Sequence, residues 1–423
     1  MVKTLVYQMY LFGFLDKVCI PTRFYEESPI ARATKHLRWP KDLGADVVWL
    51  GPIFKSAWHD HGYDIVSYSQ IESRFGDLAD FKEFINVAHA GPKPVKVIVD
   101  LVLNHTSIAH RWFDTHPKYY CWSDEDHLGW HNLFSGGSAW KYVECEDAYY
   151  LHLFDENQAD LNWYPNGPDG GINQALVDEF RKIVDSLVEL GVDGFRLDVP
   201  QAINKDLSAD ELQFEDLLNG HQATEVINVI FEGHEDLFLM MECFDPTFGE
   251  IVKYYTDSTP VDFVCNVLIK DEIARGELRF LGLIAEQSEN AQFMLDLESH
   301  DAPRFPSREI VDQQGSHLRD ATPEDAIWYL FNSGAQGICL YQGQELGLEN
   351  PTIIELPDIL MMKLDAQTTI RYIMGEELDD LRPNSRANAR VPLPVDEYSK
   401  QEQNPSSYYN LTKRWIRRWR TEQ

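Results

Sequence analysis

The chain has 423 residues, of which 44% are hydrophobic, 12% aromatic and 25% charged, a globular composition rather than a disordered one. No apolar run reaches the ~18 residues that a membrane span requires. With 69 acidic against 37 basic side chains, the net charge of −32 argues against nucleic acid or anionic lipid as partners and favours a small neutral ligand. In chain order, the first element is an apolar stretch beginning at Leu5; it lacks the small-residue cleavage site of a secretory leader, and residues 4–10 read as a strand. A cytoplasmic location is therefore expected. Further buried-strand candidates follow at 46–50, 96–101, 193–197, 237–242, 261–267, 292–297 and 336–341.

Helical patterns lie between several of these runs. The clearest covers 174–190, where Leu176, Phe180, Ile183, Val184 and Leu187 form one apolar stripe and Gly191 supplies the stop. Strand and helix in alternation, with eight strands, predict an α/β protein built as a TIM (β/α)₈ barrel. One connection breaks the rhythm: residues 106–171 hold many aromatic, Gly, Asn and Asp residues and no long helical period. A structureless loop of that length is improbable, so the segment is read as an irregular inserted subdomain, dividing the barrel into 1–105 and 172–423. A last amphipathic helix is expected near 406–420, docked through Tyr408, Leu411, Trp415, Ile416 and Trp419.

Polar chemistry recurs where strands should end: Asp100 with Asn104 and His105, Arg196 with Asp198, Glu242, and His300 with Asp301. In this fold, groups at the C-terminal ends of strands build the active site. Arg196 and Asp198 are two residues apart and face the same side of a strand, so the guanidinium can aim the carboxylate and keep it ionised. Glu242 follows Phe-Leu-Met-Met, apolar surroundings that raise the proton affinity of an acid. Two such carboxyl groups can carry a glycosidic bond through its positively charged transition state, one attacking and one donating a proton. The six cysteines (Cys19, Cys121, Cys145, Cys243, Cys265 and Cys339) show no paired spacing, so free thiols are expected.

Together with His61-Gly-Tyr63-Asp64, Gln158-Ala-Asp160-Leu-Asn162, Tyr341-Gln-Gly-Gln-Glu345 and the segment 385–392, these motifs resemble, in order, those of the α-amylase superfamily, glycoside hydrolase family 13. The likeness is to its oligo-1,6-glucosidase and α-glucosidase branch. It implies Asp198 as nucleophile, Glu242 as acid/base and Asp301 as the third carboxylate, with His300 beside it binding the 2- and 3-hydroxyls of the sugar. It implies further that Tyr63 and His105 line that sugar, and that Asp64 pairs with Arg304 to hold the terminal 4-hydroxyl and close an exo-acting pocket. Asp100 and Asn104 are expected as supports, orienting neighbours and tying down the insert. Val199 after the nucleophile resembles α-1,6-cleaving members, while Pro200 beside it is unusual.

Several departures qualify the resemblance. The stretch 11–20 has a single carboxylate where relatives carry a calcium loop, so neither metal nor cofactor is expected. Gln201-Ala202 stands where amylases carry a Lys-His pair, and Ala387 replaces an acidic residue. The separate C-terminal β domain of relatives is not expected in this chain, and a homo-oligomer would be one way to cover its docking face. The reading is a retaining exo-α-glucosidase of short α-linked oligosaccharides, α-1,6 favoured over α-1,4. Its rivals are a transglucosylase or sucrose- or trehalose-type isomerase, and a catalytically silent binding protein on the same barrel.

Overall fold

The computed structural model describes residues 3–14, 27–127, 129–167, 170–212, 217–218, 221–246, 249–269, 292–311, 317–350, 389–390 and 393–421. Cys19, residues 15–20 of the stretch 11–20 and most of the segment 385–392, Ala387 included, lie outside them. Eight strands close a barrel: β1 (Thr4–Tyr10), β2 (Val47–Gly51), β3 (Lys96–Val102), β4 (Gly194–Asp198), β5 (Phe238–Cys243), β6 (Phe263–Asn266), β7 (Phe293–Asp296) and β8 (Gly337–Tyr341). Every neighbouring pair is parallel, and spatial order follows chain order until β8 closes onto β1. Each expected strand is present; β1 has the expected bounds and the others differ from theirs by one or two residues at an end.

Strand alternation divides the side chains into two cores. Outward residues such as Val99, Phe195, Leu197, Leu239 and Leu295 pack under the surrounding helices, while Val6, Trp49, Ile98, Met240, Cys265, Met294 and Cys339 help fill the barrel as an apolar plug. Two residues further along the same strands, alternation brings Gln8, Asp100, Glu242 and Asp296 to the inward face one layer nearer the mouth. Arg196 and Asp198 face inward from β4, since Phe195 and Leu197 belong to the outer core. Close strand approach explains two glycines. A Cβ on Gly194 would stand 1.9 Å from the Phe238 carbonyl oxygen, and one on Gly51 would stand 2.2 Å from Asp100 Oδ2.

The helix Gln174–Glu189 buries Leu176, Val177, Phe180, Val184 and Leu187, with Ile183 at the edge of the stripe, and Gly191 follows it at φ 100°. The final helix, Tyr408–Thr421, buries Tyr409, Thr412, Ile416 and Trp419, while Tyr408, Leu411 and Trp415 pack at its margin. Between β3 and the helix Gln174–Glu189, strand His105–Ser107 pairs with Gln158–Asp160, and Trp122–Ser123, Ala148–Leu151 and Trp140–Val143 form a small antiparallel sheet. Its own apolar cluster, with Trp130, Trp140, Leu151 and Leu153, also takes in Ala202, with Val199 packed against it. Both come from the exit of β4. No described helix is long and apolar enough to cross a membrane, and none of the five described cysteines forms a disulfide.

Candidate active site

Arg196 organises the mouth of the barrel. Its Nη1 is in contact with Asp198 and donates to Asp100 Oδ1 at 3.2 Å, while its Nη2 lies 2.6 Å from Glu242 Oε2. The register makes this possible, since Arg196 stands opposite Asp100 on β3 and Met240 on β5, one turn of the pleat below Glu242. Asp100 is held in turn by the Trp49 indole at 2.9 Å and by the Tyr63 hydroxyl at 3.3 Å, which is the supporting role expected of it. Burial pushes Asp100 up to about 6, against the pull of Arg196.

Burial also pushes the Asp198 carboxyl well above the usual carboxylate range. Arg196 opposes this, while Glu242, Asp100 and Asp301 add to it. The expectation that Arg196 keeps Asp198 an ordinary carboxylate is thus corrected: several carboxylates share one dry chamber, and a single guanidinium does not offset the loss of water.

Across the mouth, His300 and Asp301 follow β7. His300 Nδ1 is 2.7 Å from Gln8 Nε2, and its Nε2 is 2.9 Å from Asp301 Oδ2 and 2.6 Å from the Tyr63 hydroxyl. Burial pushes His300 down to about 4, so the ring is neutral near pH 7. A carboxylate only accepts, so the partners assign the ring hydrogen to Nε2 and leave Nδ1 to accept from the Gln8 amide. Tyr63 stacks on His300 with ring centroids 5.2 Å apart, holding the imidazole flat against the chamber wall.

His105 is buried on the strand that opens the insert, 3.1 Å from Gln158 Nε2 and 3.3 Å from Asn104 Nδ2. Burial lowers it to about 4. Asn104 donates to Asp160 at 2.8 Å and accepts from Lys205 at 2.8 Å, while Lys205 also contacts Asp160. This buried group joins β3, the insert and the loop after β4, the tie expected of Asn104.

The pair expected of Asp64 and Arg304 does not form. Asp64 is buried within its own turn, accepting from Ser56 Oγ at 2.6 Å and from the backbone N–H groups of His59 at 2.9 Å and Asp60 at 3.1 Å. It stabilises a strained loop, with positive φ at Trp58, His61 and Gly62. Arg304 is paired with Glu298 at 3.0 Å, donates to the Gln342 carbonyl at 2.8 Å and lies over the Tyr341 ring. The site instead holds Arg390, which grips Asp301 Oδ1 at 2.6 Å and the His300 carbonyl at 2.8 Å. Burial works against the charge of Arg390, but Tyr10, Asp301, Asp60 and Tyr63 hold its proton affinity above the ordinary value. Asp60, four residues before Asp64, accepts from Gln158 at 3.0 Å.

The structure therefore brings Asp198, Glu242, Asp301, Arg196, His300 and Tyr63 together, with His105 bordering them through the Tyr63 backbone. Asp64 and Arg304 are structural, and Asp60, Gln158 and Arg390 were missed. Among the described residues, Arg390 Nη1 and Gln158 Oε1 are buried polar atoms with no protein partner. A small cavity of about 20 Å³ is lined by Arg196, Glu242, His300 and Asp301.

The family model of the alpha amylase catalytic domain matches residues 31–417. Trehalose-6-phosphate hydrolase of Bacillus subtilis (strain 168) is 30% identical over 437 residues, spanning 93% of this chain and 74% of the relative. The alpha-glucosidase of Pediococcus pentosaceus is 30% identical over 442 residues, with 93% and 76% covered. The oligo-1,6-glucosidase of Bacillus cereus is 27% identical over 442 residues, with 93% and 75% covered. Among solved structures, trehalose-6-phosphate hydrolase of Bacillus licheniformis matches with a TM-score of 0.77 at 27% identity, covering 99% of this chain and 83% of that one.

Proposed function

The chain belongs to the alpha-amylase family of glycoside hydrolases, and from that premise we propose that it is a retaining, exo-acting α-glucosidase of short α-linked gluco-oligosaccharides. The observation that carries this reading is the single guanidinium of Arg196 joining Asp198 and Glu242. Two carboxyl groups gripped by one planar fork stay close, as suits the ~5 Å of double displacement rather than the roughly 6.5–9.5 Å that inversion leaves for a water. Asp198 attacks the anomeric carbon while Glu242 protonates the departing oxygen. Water, deprotonated by Glu242, then releases the glucosyl ester.

Exo-action is supported by Arg390 and Asp60 rather than by the pair first expected. Arg390 Nη1 is a buried donor with no protein partner on a side chain that grips Asp301, and Asp60 is near enough to act on its charge. Preference for α-1,6 linkage rests on Val199, whose N–H approaches Glu242 Oε2 at 3.4 Å, so the residue that shapes the leaving-group side also touches the acid. The relatives leave room for a second reading, a phosphorylated disaccharide as substrate. The deciding experiment presents isomaltose, maltose, panose, sucrose, trehalose and trehalose 6-phosphate and identifies the products. Glucose released from isomaltose and panose with initial retention of the α-anomer is expected. Preferential cleavage of the phosphorylated sugar favours the second reading, isomerised or elongated products favour a transferase, and turnover of none favours a silent binding protein and overturns the proposal.

A further inference from the structure

We propose that the groove outside the barrel, between the hairpin of Phe54–Ser56 and Ile65–Ile71 and the helix Gln174–Glu189, is a binding site for a dianionic phosphate group, free or borne by a sugar. Its volume of about 380 Å³ is that of a ligand pocket rather than of a packing gap. It shares no lining residue with the chamber at the barrel mouth, so the assignment stands apart from the α-glucosidase reading. The floor is firmly held. Tyr68 is buried there with its hydroxyl donating to the Val102 carbonyl at 2.7 Å, and the buried Trp112 ring packs against His110 with centroids 4.4 Å apart and against Phe180 at 6.0 Å. Donors fixed on such a floor lose little freedom when a ligand arrives.

Three side chains supply the donors. Lys55 and Arg111 are exposed cations on the groove, and although acidic side chains outnumber basic ones by 69 to 37, neither has an ion-pair partner among the described residues. The third is His110, only 5% exposed. Its Nδ1 accepts the Trp112 N–H at 3.2 Å, which leaves the ring hydrogen on Nε2; that atom has no protein partner among the described residues and is not sealed from the groove. Burial, with Arg111 adding to it, pushes His110 down to about 4, so the ring meets a ligand near pH 7 as a neutral donor. Glu179, the one acid lining the groove, is engaged by Lys182 at 2.8 Å. A guanidinium fork, an ammonium and a neutral N–H around one space match the oxygens of a tetrahedral dianion, whereas a neutral ligand would leave both cations unanswered. Beside them, Ser67, Ser69 and Gln70 suit the hydroxyls of an attached sugar.

The test titrates the full chain with glucose 6-phosphate, inorganic phosphate and glucose in a calorimeter, comparing the wild type with Lys55→Gln, Arg111→Gln and the double variant. Both side chains are exposed, so melting temperatures should be unchanged and the comparison is between folded proteins. A catalytic chamber can take a glucose unit by itself, so the groove is read from the binding that the variants remove. Each single variant should weaken glucose 6-phosphate about tenfold, the double variant should show no saturable binding of either phosphate, and the response to glucose should be the same in all four proteins. Tighter binding of glucose 6-phosphate than of inorganic phosphate assigns the site to a sugar phosphate, and equal affinities assign it to phosphate itself. Wild type that binds neither phosphate, phosphate binding that survives in the double variant, or a loss on glucose as large as that on glucose 6-phosphate overturns the proposal. None of these outcomes depends on turnover of a glycoside, so this site and the α-glucosidase reading fail separately.

Discussion

Arg196 and Glu242 meet across two barrel strands, Nη2 to Oε2 at 2.6 Å, while the other arm of the same guanidinium holds Asp198. The two carboxyl groups proposed as proton donor and nucleophile are thus aimed by one rigid group. A lysine keeps the charge but is a point donor that cannot span both. Arg196→Lys should lower kcat about 10²–10³-fold with little change in melting temperature, measured by steady-state kinetics beside circular dichroism; retention of full kcat would show that the bridge does not matter.

The two carboxyl groups should respond differently to the leaving group. Under the proposed mechanism, Asp198→Ala removes the attacking atom and should abolish measurable turnover of every substrate. Glu242→Gln removes only protonation, so it should cost about 10²–10⁴-fold on isomaltose but much less on a nitrophenyl glucoside, whose leaving group departs without a proton. An equal loss on both substrates would contradict the acid role of Glu242.

Raised proton affinity at Asp198 has a definite sign for activity. As the proposed nucleophile, Asp198 must be ionised, so activity should fall with decreasing pH through a value above the ordinary carboxylate pKa of about 3.9. Replacing Arg196 with methionine removes the main influence pulling Asp198 down, and the acidic limb of kcat/KM should move to still higher pH. An unmoved or downward-shifted limb would assign it to another group.

Stability should show the opposite kind of linkage at His105. Its pKa is about 4 when folded, against about 6.5 for an unperturbed imidazole, so the folded state binds fewer protons. Its contribution is complete above pH 6.5 and is lost as pH falls toward 4. His105→Gln should lose about 2 kcal/mol less unfolding free energy than the wild type between pH 7 and pH 5, as read from denaturant titrations at both values; identical losses would show that this ring is not excluded from protonation.

Two buried arginines should separate cleanly by readout. Arg304→Ala strands Glu298 and should cost about 3–5 kcal/mol of stability with KM little changed in whatever protein folds. Arg390→Lys keeps a charge beside Asp301 but loses the fork, and should raise KM for a terminal glucosyl unit about tenfold or more. Melting curves and Michaelis constants measured together decide between them, and a KM effect confined to Arg304 would restore the first expectation.

The barrel was legible because strands buried on both faces read as short apolar runs, and because a polar group ending each run marks the mouth. The three acids at Asp198, Glu242 and Asp301 followed from the same rule. What sequence could not resolve was choice between like residues in one loop. Asp60 and Asp64 both flank Tyr63, and Arg386 and Arg390 share one segment with Arg304 competing from another; spacing gives a face on a strand but no direction in a turn. The Arg196 to Glu242 contact was also hidden, since register between strands is a property of the closed sheet. Burial set the proton affinity of Asp198, and no local pattern reports how dry a chamber becomes.

Val199 and Ala202, at the exit of β4, complete the apolar filling of the insert. A chimera that exchanged residues 106–171 for those of another protein would thus inherit a subdomain missing part of its own interior, and the gap would open directly behind Asp198. Natural variation in that lobe has to remain compatible with a turn it does not encode, and new specificities grafted there will surface as altered chemistry as often as altered recognition.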